Sequence, residues 1–237
     1  MANSYFKFKQ FTIHQDMCAM KVCTDACLFG ALVATCQLPI IHALDIGTGT
    51  GLLSLMVAQK NNAAKIDAVE IDMEAAKQAT ENIAASPWAD KIRVFNDDIL
   101  LFSQGKKYDC IISNPPFFED DLQTADKAKN DARHNTSLSL LQLVQVVAEC
   151  LNPGGFFAVL LPYHRVSYFI EEAAKKNLYL NRQILVKQTL KHKFFRGILF
   201  FSGKETETQF SEIIIKDLEH NYTPEFAAAL KDYYLFL

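Results

Sequence analysis

Ala43-Leu44-Asp45-Ile46-Gly47-Thr48-Gly49-Thr50-Gly51 decides how the rest of the chain is read: a short apolar run ends, and three alternate glycines follow. Glycine enters positive φ without penalty and lets a ligand lie against the backbone. The apolar run predicts a strand, 52–59 predicts a helix, and a tight turn between the two is where an open α/β sheet binds ligands. The pattern is G-x-G-x-G. A dinucleotide fingerprint would place glycine at 52, where leucine stands, and a phosphate loop would need Gly-Lys-Ser/Thr, which is absent. Both nucleotide-phosphate readings lose ground.

Outward from that turn, short β-rich runs at 43–46, 66–70, 92–95, 108–113, 156–161 and 180–186 alternate with helix-period segments at 52–59, 72–85, 138–151 and 166–176. Strands joined by crossovers of that length lie parallel in one sheet, with helices on both faces. After 186 the rhythm changes. Runs at 196–202 and 210–215, separated by Gly203 and a polar stretch too short for a helix, predict an antiparallel hairpin at the sheet edge. The tail from 224 to 237 starts as a helix and ends in Tyr233, Tyr234 and Phe236, an aromatic cluster expected to dock on the body. With no repeat, low-complexity tract or linker, the chain divides into a leading segment, 1–40, and one α/β domain, 41–237. The polar stretch 118–136, directly after a strand end, is expected to be a loop carrying substrate contacts.

Composition narrows the partners. Of 237 residues, 50% are hydrophobic and 22% charged, and a formal charge of −3 leaves no global positive field to hold nucleic acid. A polyanion would need a local basic patch. The start, MANSYFKFKQF, lacks the apolar core of a signal peptide, and no apolar run approaches the roughly 18 to 20 residues of a membrane helix, so a cytoplasmic protein without membrane association is expected. Cysteines 18, 23, 27, 36, 110 and 150 include no C-x-x-C pair, which favours buried reduced thiols over a metal site. His14, His42, His164 and His220 are scattered and receive no catalytic role.

Two further signals lie at successive strand ends. Glu70 ends the second strand about 20 residues past the glycine turn, where a carboxylate can accept from both hydroxyls of a ribose. Asp97 and Asp98 end the third, where a carboxylate can accept from an exocyclic amine while Ile99 covers a ring; Asp98 is preferred because it directly precedes Ile99. A lone Asp at a strand end is more often a helix cap. In this order, however, the acids and the turn describe a pocket for an adenosine-type cofactor without pyrophosphate, as S-adenosylmethionine is.

Ser113-Asn114-Pro115-Pro116-Phe117 follows the fourth strand, beside the point where strand order should reverse. Two prolines fix φ and remove two donors, leaving the Asn114 side chain and the Pro115 carbonyl as aligned acceptors. Such a cradle suits methylation of a planar amine, because acceptors on its N–H groups favour the pyramidal, positively charged nitrogen of the transition state. Phe117 offers a face for a base to stack on.

These residues resemble a class I, Rossmann-like S-adenosylmethionine-dependent methyltransferase of the amino-methylating type. The more specific resemblance, carried by Phe11, Cys18-Ala19-Met20-Lys21-Val22, Thr24-Asp25, Ser54-Leu55-Met56, Ser86-Pro87-Trp88, the Asn-Pro-Pro-Phe motif and Tyr234-Leu235-Phe236, is to the bacterial tRNA1(Val) adenine-37 N6-methyltransferase family. Phe117 departs from that family's frequent tyrosine and keeps the stacking face. The resemblance implies that Lys21, Thr24 and Asp25 lie near the methionine end of the cofactor, which Asp45, Gly47, Thr48, Gly49 and Gly51 also hold. It places Glu70 on the ribose, Asp98 and Ile99 on the adenine, and Asn114 between cofactor and target. It implies a tRNA partner as well, for which two basic patches are candidates: Lys127, Lys129 and Arg133 in the polar loop, and Lys187, Lys191, Lys193 and Arg196. Rival readings are methylation of a glutamine amide in a protein, of adenine in DNA, and a non-catalytic RNA-binding protein of the same fold.

Overall fold

The computed structural model describes residues 3–18, 20–36, 38–116 and 138–237. A hairpin of β1 (Tyr5–Lys7) and β2 (Thr12–His14) leads into α1 (Thr24–Ala34). The βα series follows as β3 (His42–Ile46), α2 (Leu52–Lys60), β4 (Lys65–Glu70), α3 (Met73–Ala84), β5 (Ile92–Asn96), the short α4 (Ile99–Phe102) and β6 (Tyr108–Ser113). Next come α5 (Leu140–Cys150), β7 (Leu151–Pro162), a 3-10 turn (Tyr163–Arg165) and α6 (Val166–Ala174). The chain closes with β8 (Tyr179–Lys187), β9 (Phe194–Ser202), β10 (Gln209–Ile214) and α7 (Pro224–Leu230).

Eight strands form one sheet in the order β10-β8-β9-β7-β6-β3-β4-β5. From β7 to β5 all are parallel, as the βα rhythm requires. Register sets their carboxyl ends flush: Ile46 lies beside Val69 and Ser113, and Ser113 beside Val159. The order reverses at the β3/β6 boundary, so the glycine turn and the Asn-Pro-Pro segment emerge side by side.

Strand residues alternate between two cores. Ala43, Cys110, Ile112, Ala158, Leu160, Ile198 and Phe200 pack with α1, α2, the leading aromatics Phe8 and Phe11, and the tail. Leu44, Ile111, Phe157, Val159, Leu199 and Phe201 face α5 and α6. Because both faces are covered, the strands read as continuous apolar runs rather than alternating ones.

The leading segment contributes a helix that the sequence reading left undefined. Nine of the eleven α1 residues are buried, so the helix is apolar all round and lacks the stripe that marks a surface helix. It packs on α2 and α7. At Gly30 a Cβ would meet Met56 Sδ at 2.6 Å, so any larger residue there would require the Met56 side chain to shift at the α1–α2 contact.

Two expectations need correction. The predicted hairpin of 196–202 with 210–215 does not form. Instead β9 inserts between β7 and β8, antiparallel to both, and β10 crosses to pair in parallel with β8 at the edge. Burial explains the exchange: Gly197, Ile198, Leu199, Phe200 and Phe201 are all buried and need neighbours on both sides, whereas β10 is largely exposed, with Phe210 at 72%. In the tail, Tyr233 is fully buried and donates from its hydroxyl to the Met56 carbonyl at 2.9 Å, and Tyr234 is buried too. Phe236 stays 87% exposed rather than docking.

Two buried amides on α3 hold the leading strand in place. Asn82 accepts from the His14 N–H and donates to the carbonyls of His14 and Thr50, each at 2.9 Å. Gln78 accepts from the Met17 N–H and donates to Asp16 Oδ1. Replacing Asn82 with leucine keeps the volume but leaves three backbone groups unsatisfied, so urea unfolding of Asn82→Leu should show a loss of about 2–4 kcal/mol at unchanged m-value. A loss below about 0.5 kcal/mol would mean that water replaces the amide freely.

Candidate active site

The turn after β3 takes the shape that three glycines allow. Gly47, Gly49 and Gly51 have φ of 70°, 56° and 82°. A Cβ at Gly51 would press on Ile83, but at Gly47 or Gly49 it would meet nothing within 4 Å among the described residues. Their open face is therefore free for a ligand. The N–H groups of Gly47 and Thr48 donate to the Val69 carbonyl at 2.9 and 3.1 Å, tying the turn to β4.

Asp45 sits beneath the turn, fully buried. Its Oδ2 accepts from the hydroxyls of Thr48 and Ser54, both at 2.7 Å, and so joins strand, turn and α2. Its Oδ1 is buried with no hydrogen-bond partner among the described residues. Burial pushes the carboxyl up to about 6, with Glu70 adding repulsion, while the two hydroxyls oppose the shift.

Glu70, at the end of β4, reaches back over the turn. Its Oε2 accepts from the Gly49 N–H at 2.9 Å and its Oε1 from the Asp72 N–H at 3.0 Å. Each oxygen keeps a second lone pair. Next along the sheet, the Asp97 N–H donates to the Glu70 carbonyl at 3.1 Å, and Asp98 is the N-cap of α4, accepting from Leu100 N–H at 2.9 Å beside buried Ile99. One oxygen of Asp98 thus does the capping that a strand-end Asp often does.

On the other flank, Ser113 Oγ donates to the Ile46 carbonyl at 3.0 Å, fastening β6 to β3 just before Asn114. Asn114 Oδ1 is buried without a partner among the described residues. Of the three side-chain atoms left so there, two, Asp45 Oδ1 and Asn114 Oδ1, belong to this site. Unsatisfied buried acceptors are rare and costly, and two flanking one glycine turn fit the amine and polar edges of a ligand.

The leading segment runs along the same edge. The Cys18 thiol lies near Glu70, Asp72 and Asp16, and burial together with these carboxylates pushes it up to about 11. Seven residues later, Asp25 is buried and its Oδ2 accepts from Arg196 Nε of β9 at 2.7 Å. Four strand spacings, about 19 Å, separate β4 from β9, so Cys18 and Asp25 stand on opposite flanks of the glycine turn. Between them in sequence, Lys21 is exposed and Thr24, which opens α1, is half-buried.

Arg196 is therefore turned onto Asp25, and Lys187 pairs with Glu212 at 3.1 Å; both had been expected on a phosphate-binding face. Lys191 and Lys193 are exposed. Phe117, Lys127, Lys129 and Arg133, with the loop expected at 118–136, lie outside the described residues. Gln78, Asn82, Ser54 and the Asp25–Arg196 pair went unassigned in the sequence; polar residues on the buried side of α3 were the available signal. All six cysteines are free, but only Cys27, Cys110 and Cys150 are buried; Cys23 is exposed, contrary to expectation. No helix among the described residues is long and apolar enough to cross a membrane.

Comparison with known proteins supplies the family. The Methyltransferase small domain family matches residues 29–165. A tRNA1(Val) (adenine(37)-N6)-methyltransferase of Dyadobacter fermentans is 43% identical over 98% of both chains, and one of Trichodesmium erythraeum 42% identical over 99% of both. The chain belongs to the tRNA1(Val) (adenine(37)-N6)-methyltransferase family. Among solved structures, a predicted O-methyltransferase of Agrobacterium tumefaciens superposes with a TM-score of 0.67 at 15% identity, covering 87% of this chain and 95% of that one, a likeness of fold. The family's class I, Rossmann-like architecture is the one described above.

The buried carboxylate has a measurable signature. With Asp45 raised from 3.8 to about 6, the folded protein holds its proton more tightly than the unfolded chain, so this group's effect on stability becomes less favourable as pH rises through that window. Asp45→Asn removes the effect. The stability difference between wild type and variant, from urea unfolding, should shift by about 3 kcal/mol against the wild type between about pH 3.5 and about pH 6.5. A constant difference would show an ordinary carboxyl.

Proposed function

We propose that the protein transfers the methyl group of S-adenosylmethionine to N6 of adenine 37 in the anticodon loop of tRNA1(Val), the reaction in its relatives' names. The observation that carries the reading to this chain is Asn114 Oδ1, buried and without a partner among the described residues at the end of β6, one strand from the glycine turn. A tRNA substrate implies a cytoplasmic protein.

The residues present fit the cofactor. Asp45 Oδ1 and the open face of Gly47 and Gly49 suit the charged methionine end, with Thr48 and Gly51 holding the turn's shape. By the family resemblance, Lys21, Thr24 and Asp25 of the leading segment 1–40 serve the same end of the cofactor held by domain 41–237, with Asp25 kept in place by Arg196. The remaining lone pairs of Glu70 suit the ribose hydroxyls, and the free oxygen of Asp98, beside Ile99, an exocyclic amine. Bound there, S-adenosylmethionine supplies a methyl group on a positively charged sulfur.

The chain's own part is to make a poor nucleophile attack. The lone pair of an adenine amine is delocalised into its ring. Asn114 Oδ1 and the Pro115 carbonyl each accept one N–H and favour the pyramidal nitrogen and its growing charge, an effect larger in the transition state than in the ground state. Pro115 and Pro116 hold this pair of acceptors rigid, and Phe117 gives the base a stacking face. The product nitrogen is cationic and acidic, so its proton leaves to water without a dedicated base.

The reading is tested by incubating the protein with labelled cofactor and separate pools of tRNA, DNA and protein, then digesting each. N6-methyladenosine in tRNA is expected. Labelled glutamine amide in the protein pool, or cofactor binding with no transfer, would replace the reading with one of its rivals. Asn114→Ala should lower turnover about a hundred-fold or more while cofactor affinity stays within a few-fold; equal losses would make Asn114 structural. Lys191→Glu with Lys193→Glu should weaken tRNA binding and flatten its dependence on log salt by about one to two units. Unchanged affinity would remove this patch.

A further inference from the structure

Beyond the glycine turn and Asn114, the same edge of the sheet carries a second group of residues with no part in cofactor binding. Where β7 ends at Pro162, the chain makes the 3-10 turn Tyr163–Arg165. A cleft lined by Pro115, Pro116, Leu161, Pro162, His164 and Arg165 separates this turn from the Asn-Pro-Pro segment. Tyr163 is 45% exposed, and its ring centroid lies 5.4 Å from that of Phe194, the first residue of β9. Lys187 Nζ stands 4.1 Å from the Phe194 centroid. On the other side, the Arg165 guanidinium lies over the ring of Tyr168, itself 39% exposed, at 5.2 Å.

Strand direction brings these pieces to one place. β8 and β7 both run antiparallel to β9, so the turn between β8 and β9, with exposed Lys191, His192 and Lys193, emerges at the same carboxyl edge as Asn114. Pro162 is in register with Arg196, and β9 lies two strand spacings, about 10 Å, from β6. The result is a ledge of exposed rings and cations that starts at the Asn-Pro-Pro cleft and ends at the β8–β9 turn. Two carboxylates of this region, Glu212 and Asp25, are taken up by Lys187 and Arg196. On a chain of net charge −3, that leaves a local positive strip with flat apolar faces.

We propose that the Tyr163–Arg165 turn and the β8–β9 turn together grip the unpaired nucleotides that flank the methylated base. Tyr163 provides a stacking face, His164 borders the cleft beside Pro115 and Pro116, and Lys191 and Lys193 meet the phosphates. The assignment rests on the tRNA reading above and specifies which RNA feature is recognised. Unpaired bases expose the π-faces that rings bind, whereas a duplex hides them and offers phosphates alone. A ledge combining both chemistries therefore favours a loop over a stem.

The test compares binding of a synthetic anticodon stem-loop and a fully paired hairpin of equal length to wild type, Tyr163→Leu and Tyr163→Phe. Leucine keeps packing against Phe194 but removes the ring's flat face. Tyr163→Leu should weaken stem-loop binding between about five-fold and about a hundred-fold, with duplex binding and cofactor affinity unchanged, and Tyr163→Phe should match wild type. Equal loss on both RNAs, or no loss, would overturn the ledge. Should the leucine variant fold poorly, photocrosslinking of wild type to a stem-loop with a photoreactive base beside the target decides: label at Tyr163 supports the assignment and label only elsewhere ends it. Wild type that methylates tRNA while Tyr163→Leu binds normally removes the ledge alone, whereas wild type that transfers no methyl to tRNA removes the reading beneath it as well.

Discussion

A buried carboxylate at the end of the central strand organises this protein. Asp45 cannot be solvated where it stands, and it persists because Thr48 and Ser54 both donate to one of its oxygens. Those two bonds close the glycine turn over the strand and lock the start of α2 against it. The other oxygen has no partner among the described residues, a cost in stability that their packing alone does not offset. Asn114 Oδ1 repeats the pattern one strand away. Buried polar atoms left unsatisfied in pairs are how a structure prepares for a ligand rather than for itself.

The remaining bonds transmit that geometry to parts of the chain far apart in sequence. Glu70 holds Gly49 from β4, Asn82 holds Thr50 from α3 and at the same time clamps His14, and Ser113 holds Ile46 from β6. A change in the turn is thus felt by the leading strand through a single amide. Beyond it, Cys18 lies near Glu70, and Asp25 at the start of α1 is held by Arg196 of β9. That pair is largely buried, so losing either partner would strand a charge and cost more than a surface ion pair would.

The parallel core was legible because its strands and crossovers are set by local pattern: an apolar run, a glycine turn, an apolar helix, repeated. The edge was not, because pairing there depends on which strand needs two neighbours, and burial of Ile198 to Phe201 on both faces became visible only once β7 and β8 were placed. The leading helix escaped for the opposite reason: apolar on every side, α1 carries no stripe to read. That the turn, Glu70 and Asn114 would come together could be read from their strand-end positions. Arg196 could not be told from a surface cation, since its partner Asp25 is 171 positions away. Asp98 was ambiguous even in principle, because a helix cap and an amine acceptor look alike in sequence, and one carboxylate has oxygens for both.

The charges of the site are sorted by depth, and on the proposed reading the sorting itself selects what enters. Asp45, Glu70 and Asp98 line the inner wall at the ends of β3, β4 and β5, while Lys191 and Lys193 stand exposed at the β8–β9 turn. An acidic wall attracts a cofactor that carries positive charge at both its sulfur and its amine. Two unit charges about 4 Å apart at an effective dielectric of 20 interact by about 4 kcal/mol, enough to matter for either sign. The same wall repels phosphates, which are drawn instead to the basic rim. A nucleotide at this edge therefore lowers its free energy by leaving its backbone outside and sending in only its neutral base, the posture in which an exocyclic amine reaches Asn114.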